Sequence, residues 1–267
     1  MKIIAIPGIN NLGKNNGCRD AGKRIFEELN NIHSSESGII IDSKLIDFEE
    51  LLLDNSNVEE QERKIYEKAK ETIKNEKIFF LGGDHSISFS IGKAFLDNCL
   101  ENRKIPCLIV FDSHADCMGP MKEPTHEEWL RALIEKGFPK ENILLVGARN
   151  IYREEIEFLE KNRIKRVSIN ELQNNLEEVT DMIMEFSLGK ELYVSLDIDV
   201  LDPVFAPSTG YPEAGGLTTR QLLYILSRIN KIKTLKVIDL VEIDSEGDKN
   251  KDFLTVRTGA KLIFELF

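Results

Sequence analysis

Three short polar clusters, each following an apolar run, carry residue types and spacings suited to metal chemistry. In the first, Asp112, His114 and Asp116 stand at i, i+2 and i+4 behind Leu108–Phe111. If the backbone stays extended, all three point to one side. Two carboxylates and an imidazole on one face suit a hard-to-borderline divalent cation. In the second, Asp197 and Asp199 share a face at the end of Tyr193–Leu196. A carboxylate at Asp197, inside an otherwise apolar strand, would carry a heavy desolvation cost or take up a proton unless a cation met it. Asp202, before Pro203, reads as a turn residue or as an acceptor behind the ligands. The third cluster is Gly82-Gly83-Asp84-His85-Ser86. Its glycines let the chain turn tightly and bring His85 to the sheet edge. A single His after a strand is weak evidence alone, since such residues often serve structure.

Together the clusters offer Asp112, Asp116, Asp197 and Asp199 with His85 and His114. Four carboxylates cannot be crowded together uncompensated. Two divalent cations would neutralise them, and two metals close together acidify a shared water into a nucleophile at neutral pH. The donors are oxygen and nitrogen with no thiolate, which favours manganese over zinc.

The elements that must position these residues follow from the apolar pattern. Runs of strand length occur at Lys2–Ile6, Lys77–Leu81, Cys107–Phe111, Asn142–Val146, Arg166–Ile169, Glu191–Leu196 and Thr234–Leu240. Most are continuously apolar, as strands buried on both faces are. Helix-length amphipathic stretches alternate with them: Asp20–Asn30, Val58–Asn75, Ser86–Asn98, His126–Lys136, Arg153–Lys161, Asn170–Phe186, Thr218–Ile229 and a closing Thr255–Leu266. Asn57 and Ser86 are plausible N-caps. Strand–helix alternation predicts an α/β fold: one domain over residues 1–267, in three α/β/α layers around a mainly parallel sheet. In such sheets ligands bind beyond the carboxyl ends of the strands, where all three clusters fall.

Composition narrows the partners. Among 267 residues, 46 acids outweigh 35 bases, a formal charge of −11. That disfavours phosphate-backbone binding, so no nucleic acid is expected. It suits a small cationic ligand through weak steering, beside its plainer role in solubility. Cys18, Cys99, Cys107 and Cys117 form no CxxC pair and have no partner at zinc-finger spacing, which fits a reducing cytoplasm better than a disulfide framework. No apolar run reaches signal-peptide or membrane-span length, so no membrane partner is expected.

His85 in GGDHS, the D-x-H-x-D of Asp112–Asp116 and the S-x-D-x-D-x-x-D-P of Ser195–Pro203 resemble, in that order, the arginase/agmatinase (ureohydrolase) family. The resemblance runs from about Ile4 to Ile263. It implies a binuclear manganese centre (two Mn2+ per chain) held by His85, Asp112, His114, Asp116, Asp197 and Asp199, with one metal taking His85 and the other His114. It implies that Asp116 orients and deprotonates the nucleophile, that His126 relays a proton to the departing amine, and that Glu242 holds a guanidinium. The expected reaction is hydrolysis of a guanidino compound to urea and an amine, by a homo-oligomer (trimer or hexamer).

The sequence also departs from the family. Ser113 stands where Ala is usual, the Cys117-Met118-Gly119-Pro120 loop lacks the Asn and Thr with which arginases hold the α-amino acid end, and Glu127 stands where Gly is usual. Gly210–Leu217 looks closer to agmatinases. The resemblance therefore points to agmatine, with arginine and formimidoylglutamate as alternatives. A two-metal phosphoesterase would place its D-x-H first, and a single-metal zinc deacetylase would not need four acids. An inactive metal-binding subunit would keep the ligands without turnover.

Overall fold

A computed structural model describes residues 1–10, 16–40, 42, 45–74 and 76–267. Eight strands build one sheet: β1 (Lys2–Ala5), β2 (Asp47–Glu50), β3 (Ile78–Leu81), β4 (Pro106–Phe111), β5 (Ile143–Val146), β6 (Lys165–Val167), β7 (Glu191–Asp197) and β8 (Leu235–Val241). Every pairing is parallel, in the order β2-β1-β3-β8-β7-β4-β5-β6. The helices are α1 (Ala21–Leu29), α2 (Val58–Thr72), α3 (Ile87–Glu101), α4 (Trp129–Glu135), α5 (Arg153–Asn162), α6 (Ile169–Asn174), α7 (Leu176–Phe186), α8 (Thr219–Ile229) and α9 (Leu254–Phe264).

Successive strand residues feed opposite faces, as the period of two requires. Ile3, Phe79, Ile109 and Phe111 join the core under α1, α6, α7, α8 and α9. Ile4, Phe80, Leu108 and Val110 join the core under α2, α3, α4 and α5. The three-layer α/β/α expectation holds. No helix among the described residues is long and apolar enough to cross a membrane.

Local chemistry explains where the observed elements differ from the predicted ones. The acidic strand β2 has no apolar run; it pairs only with β1, and its Asp47 and Glu49 meet Lys2 at 3.6 and 3.0 Å. The predicted helix 170–186 is two helices, parted at Asn175 (φ −147°, ψ 62°). Ser168 leaves the predicted strand 166–169 because it caps α6, its hydroxyl accepting from the Glu171 amide. Asn57 caps α2 as expected, accepting from the Glu60 amide; the predicted last residue of that helix, Asn75, lies outside the described residues. The Ser86 hydroxyl makes no cap bond and donates to Asp84 instead. The helix predicted from His126 begins only at Trp129, which leaves His126 in the preceding turn.

Candidate metal centre and active-site cleft

The site lies beyond the carboxyl ends of four adjacent central strands, β3, β8, β7 and β4. After β3 the chain turns through Gly82 (φ 88°) and Gly83 (φ 79°). A Cβ on Gly82 would meet the Gly22 amide nitrogen at 2.5 Å, and one on Gly83 the Gly8 carbonyl oxygen at 2.6 Å. No side chain fits either place. The turn sets His85 over the sheet, and Asp84 ties it down by accepting from the Asn10 and Ser86 amides at 2.6 and 3.1 Å.

The three residues after β4 converge by a route other than the predicted extended backbone. Asp112 follows the last strand residue, and Asp116 is left-handed (φ 49°). A left-handed non-glycine residue is uncommon and turns the Asp116 carboxylate back toward the cluster. Asp197 is the last residue of β7, whereas Asp199 sits in a short 3-10 turn, so the two do not share a strand face. They are coupled instead by the Asp199 amide, which donates to Asp197 Oδ1 at 2.8 Å.

The six predicted ligands come together. His85 Nδ1 lies 3.1 Å from Asp112 Oδ2, 3.0 Å from Asp116 Oδ2 and 3.3 Å from Asp197 Oδ2. His114 Nδ1 lies 3.0 Å from Asp199 Oδ2 and 3.6 Å from Asp112 Oδ1. Two ligand triads result, His85–Asp112–Asp116 and Asp112–His114–Asp199, with Asp112 common to both. His85 Nδ1 and Asp112 Oδ2 are buried and make no hydrogen bond among the described residues. Polar atoms left so are costly unless an ion meets them. These oxygen and nitrogen donors fit divalent cations.

The electrostatics carry the same strain. Burial raises the Asp116 carboxyl to about 7 and pushes Asp197 well above the usual carboxylate range. Burial opposes the charged form of Asp112 as well, but His114 and His85 outweigh it and hold that carboxyl low. Burial would lower His114, yet Asp112 and Asp199 raise it to about 12. His85 is likewise raised, by Asp112, Asp116 and Asp197 against burial. Without cations, protons do the neutralising.

A buried polar relay, missed at the sequence level, holds His85 from behind. Ser195 Oγ donates to Asp239 Oδ1 at 2.7 Å, so it accepts from His85 Nε2 at 3.0 Å, and Nδ1 is the ring nitrogen that faces the carboxylates. Asp239 also accepts from Ser88 Oγ at 2.7 Å, from the Leu196 amide at 3.2 Å and from the Tyr193 hydroxyl. Trp129 Nε1 donates to Asp116 Oδ2 at 2.8 Å, and its ring lies 4.6 Å from that of His85. The signal for Asp239 was a carboxylate inside an apolar strand, the same signal that singled out Asp197.

Glu242 follows β8 in a left-handed conformation (φ 65°) and is 4% exposed. Its Oε1 accepts from the His85 amide at 2.8 Å. It therefore stands beside the cluster rather than as a solvated strand-end acid. His126 is buried, not at the surface; it stacks on Tyr211 with ring centroids 5.4 Å apart, and neither ring nitrogen makes a hydrogen bond among the described residues. Burial lowers its pKa to about 4, so the imidazole is neutral. Asp202 forms the expected turn, accepting from the Val204 and Gly215 amides at 3.0 and 2.8 Å.

A cleft of about 490 Å³ opens above the cluster, walled by His114, Asp116, His126, Glu127, Tyr211 and Glu213 among others. Arg149, which the sequence did not single out, pins its rim. That guanidinium donates to the carbonyls of Asp199 (2.8 Å), Glu213 (2.6 Å) and Ala214 (3.1 Å).

Fold and site thus define an α/β protein with a carboxylate–histidine cluster at the carboxyl edge of a parallel sheet. Comparison narrows that class: the arginase family model matches residues 1–267, and the chain belongs to the arginase family. An agmatinase of Bacillus subtilis is 33% identical over 70% of this chain and 61% of its own length. A hepatic arginase of Aquarana catesbeiana is 30% identical over 70% of this chain and 64% of its own length. The chain thus spans less than two thirds of either relative. Among solved structures, formimidoylglutamase of Bacillus subtilis superimposes with a TM-score of 0.88 at 20% identity, over 99% of this chain and 85% of the other. Arginase of Bacillus cereus superimposes with a TM-score of 0.81 at 21% identity, over 100% and 97%. These structures share the fold.

Proposed function

We propose that this chain, as one ureohydrolase domain over residues 1–267, hydrolyses a guanidino compound to urea and an amine, with manganese as its metal and agmatine as its substrate. The observation that carries the reading is the pair of ligand triads joined at Asp112, with unpartnered buried donor atoms facing each other. Bound there by His85, Asp112, His114, Asp116, Asp197 and Asp199, two divalent cations would acidify a water and stabilise the charge that develops as it attacks. The chain supplies the rest. Asp116 orients the attacking water and accepts its proton. Glu242 presents a carboxylate to the planar guanidinium for a charge-assisted two-point pair. Neutral His126 can accept a proton at one ring nitrogen and give one up at the other, as a relay to the leaving amine requires. Agmatine rather than arginine follows from the 117–120 loop, which lacks the side chains that grip an α-amino acid. The four buried free thiols suit a reducing cytoplasm, and family resemblance supports a trimer or hexamer.

The test is product release from manganese-loaded protein offered agmatine, arginine, 4-guanidinobutyrate and formimidoylglutamate, scoring urea for the first three and formamide for the last. Urea from agmatine is the expected result. No product from any compound, with two metals bound per chain, would overturn the reading in favour of an inactive metal-binding subunit.

A further inference from the structure

We propose that Glu127 and Glu213 form a subsite for a cationic substrate tail, and so select ammonium-tailed guanidino compounds over carboxylate-tailed ones. The inference rests on the hydrolase reading for the position of the guanidino head, and extends it to residues that no ligand role has yet claimed.

Among the described residues, the cleft wall holds three carboxylates beyond the metal cluster, Glu127, Glu155 and Glu213, and no Lys or Arg. Glu155 is spent on structure: its Oε1 accepts from the Cys117 amide at 2.8 Å and its Oε2 from the Tyr152 amide at 2.9 Å. The other two remain for a ligand. The Glu127 side chain is 43% exposed, lies 3.8 Å from His126 Nε2, and accepts no hydrogen bond among the described residues. Its backbone is nonetheless fixed, the amide donating to Thr125 Oγ1 at 3.3 Å and the carbonyl accepting from the Met118 amide at 3.2 Å. Glu213 is preorganised from both ends. Its carboxylate accepts from Asn150 Nδ2, and its carbonyl is held by Arg149 at 2.6 Å.

Tyr211 lines the same cleft as these two acids. Its ring stacks on His126, the neighbour of Glu127, and lies edge-on to His114 at 6.2 Å. His114 Nε2 is in turn 4.0 Å from Glu213 Oε1. The cleft thus combines the stacked Tyr211 and His126 rings, two carboxylates and the candidate metal ligands His114 and Asp116. Methylenes can lie along the wall while an ammonium meets the acids. A carboxylate tail would instead meet like charge.

The experiment compares agmatine, n-butylguanidine and 4-guanidinobutyrate on manganese-loaded protein. Their tails are ammonium, methyl and carboxylate on chains of similar length. Wild type should favour agmatine over n-butylguanidine by at least about 10-fold in kcat/KM, chiefly through KM. Glu127→Gln and Glu213→Gln should each cut that ratio about 5-fold, as partly exposed ion pairs do. The double variant should bring it close to one. No preference in wild type, or a preference intact in the double variant, overturns the proposal. So does better turnover of 4-guanidinobutyrate by wild type. If wild type releases no urea from any compound, calorimetric binding of agmatine against n-butylguanidine reads the same ratio. A bound preference without turnover sinks the hydrolase reading alone, and equal or absent binding sinks the subsite.

Discussion

His85 Nδ1 and Asp112 Oδ2 face each other at 3.1 Å, both buried, and neither makes a hydrogen bond among the described residues. Asp112 serves the His114 triad as well. Losing it should therefore disable both cation positions, whereas losing His114 should disable one. Elemental analysis after manganese loading should give two ions per chain for wild type, one for His114→Ala and none for Asp112→Ala. One ion retained by Asp112→Ala would show that the carboxylate is not shared.

The relay behind His85 sets the direction of its ring. Ser195→Ala removes the acceptor of the Nε2 proton and leaves Asp239 its other three donors. Affinity at the His85 position should fall about 10- to 100-fold, the usual cost of losing such a support, while the His114 position keeps its affinity. Calorimetric metal titration separates the two. Equal weakening of both positions would point to general loosening of the sheet.

Metal binding should depend on pH in a definite direction. In the metal-free chain Asp116 sits at about 7 and His114 at about 12, so both hold protons in mildly acidic solution. Ligands bind deprotonated. Cation loading should therefore release protons, and apparent affinity should fall as pH drops, more steeply below about 7. Titrations in buffers of different ionisation enthalpy count the protons directly. A pH-independent affinity would contradict this account.

His126 should shape stability as well. Its folded pKa of about 4 lies below the ordinary 6.5, so the unfolded chain binds more protons between those values and stability falls as pH drops through that window. The full contribution is about 3 kcal/mol, complete near pH 4. Denaturant unfolding of metal-free wild type and His126→Gln should show curves that diverge across this range. Parallel curves would mean that His126 takes up its proton at the same pH in the folded and unfolded chain.

Glu242→Gln keeps an oxygen for the His85 amide and loses the charge. Guanidino turnover should drop at least about 100-fold, as expected when a charge-assisted two-point pair is lost, with both metals still bound. Unchanged turnover would remove Glu242 from substrate binding.

Much of this was written in the chain. Strands buried on both faces have to be continuously apolar, so Leu108–Phe111 and Tyr193–Leu196 stood out, and so did the acids at their ends. What stayed hidden depended on partners distant in sequence. Ser195 and His85 are 110 residues apart, and only the sheet order makes them neighbours. Strand β2 escaped because an edge strand needs only one partner and can be acidic. The extended reading of Asp112–Asp116 failed because spacing says nothing about the bends at Ser113 and His114 or the left-handed turn at Asp116. His126 was placed in a helix because the cap pattern could not show that burial would hold it in a turn.

Strands β3 and β4 are neighbours among the strands along the chain but three places apart in the sheet, with β8 and β7 laid between them. At about 4.8 Å per strand, that interval is roughly 14 Å wide. During synthesis, His85 and Asp112 leave the ribosome early, and the strands that bridge the interval between them leave late. A nascent chain therefore displays four of the six candidate ligands, His85, Asp112, His114 and Asp116, with no scaffold to gather them. Capture of ions by all six would have to wait until β7 and β8, which follow every other strand in the chain, fill the middle of the sheet.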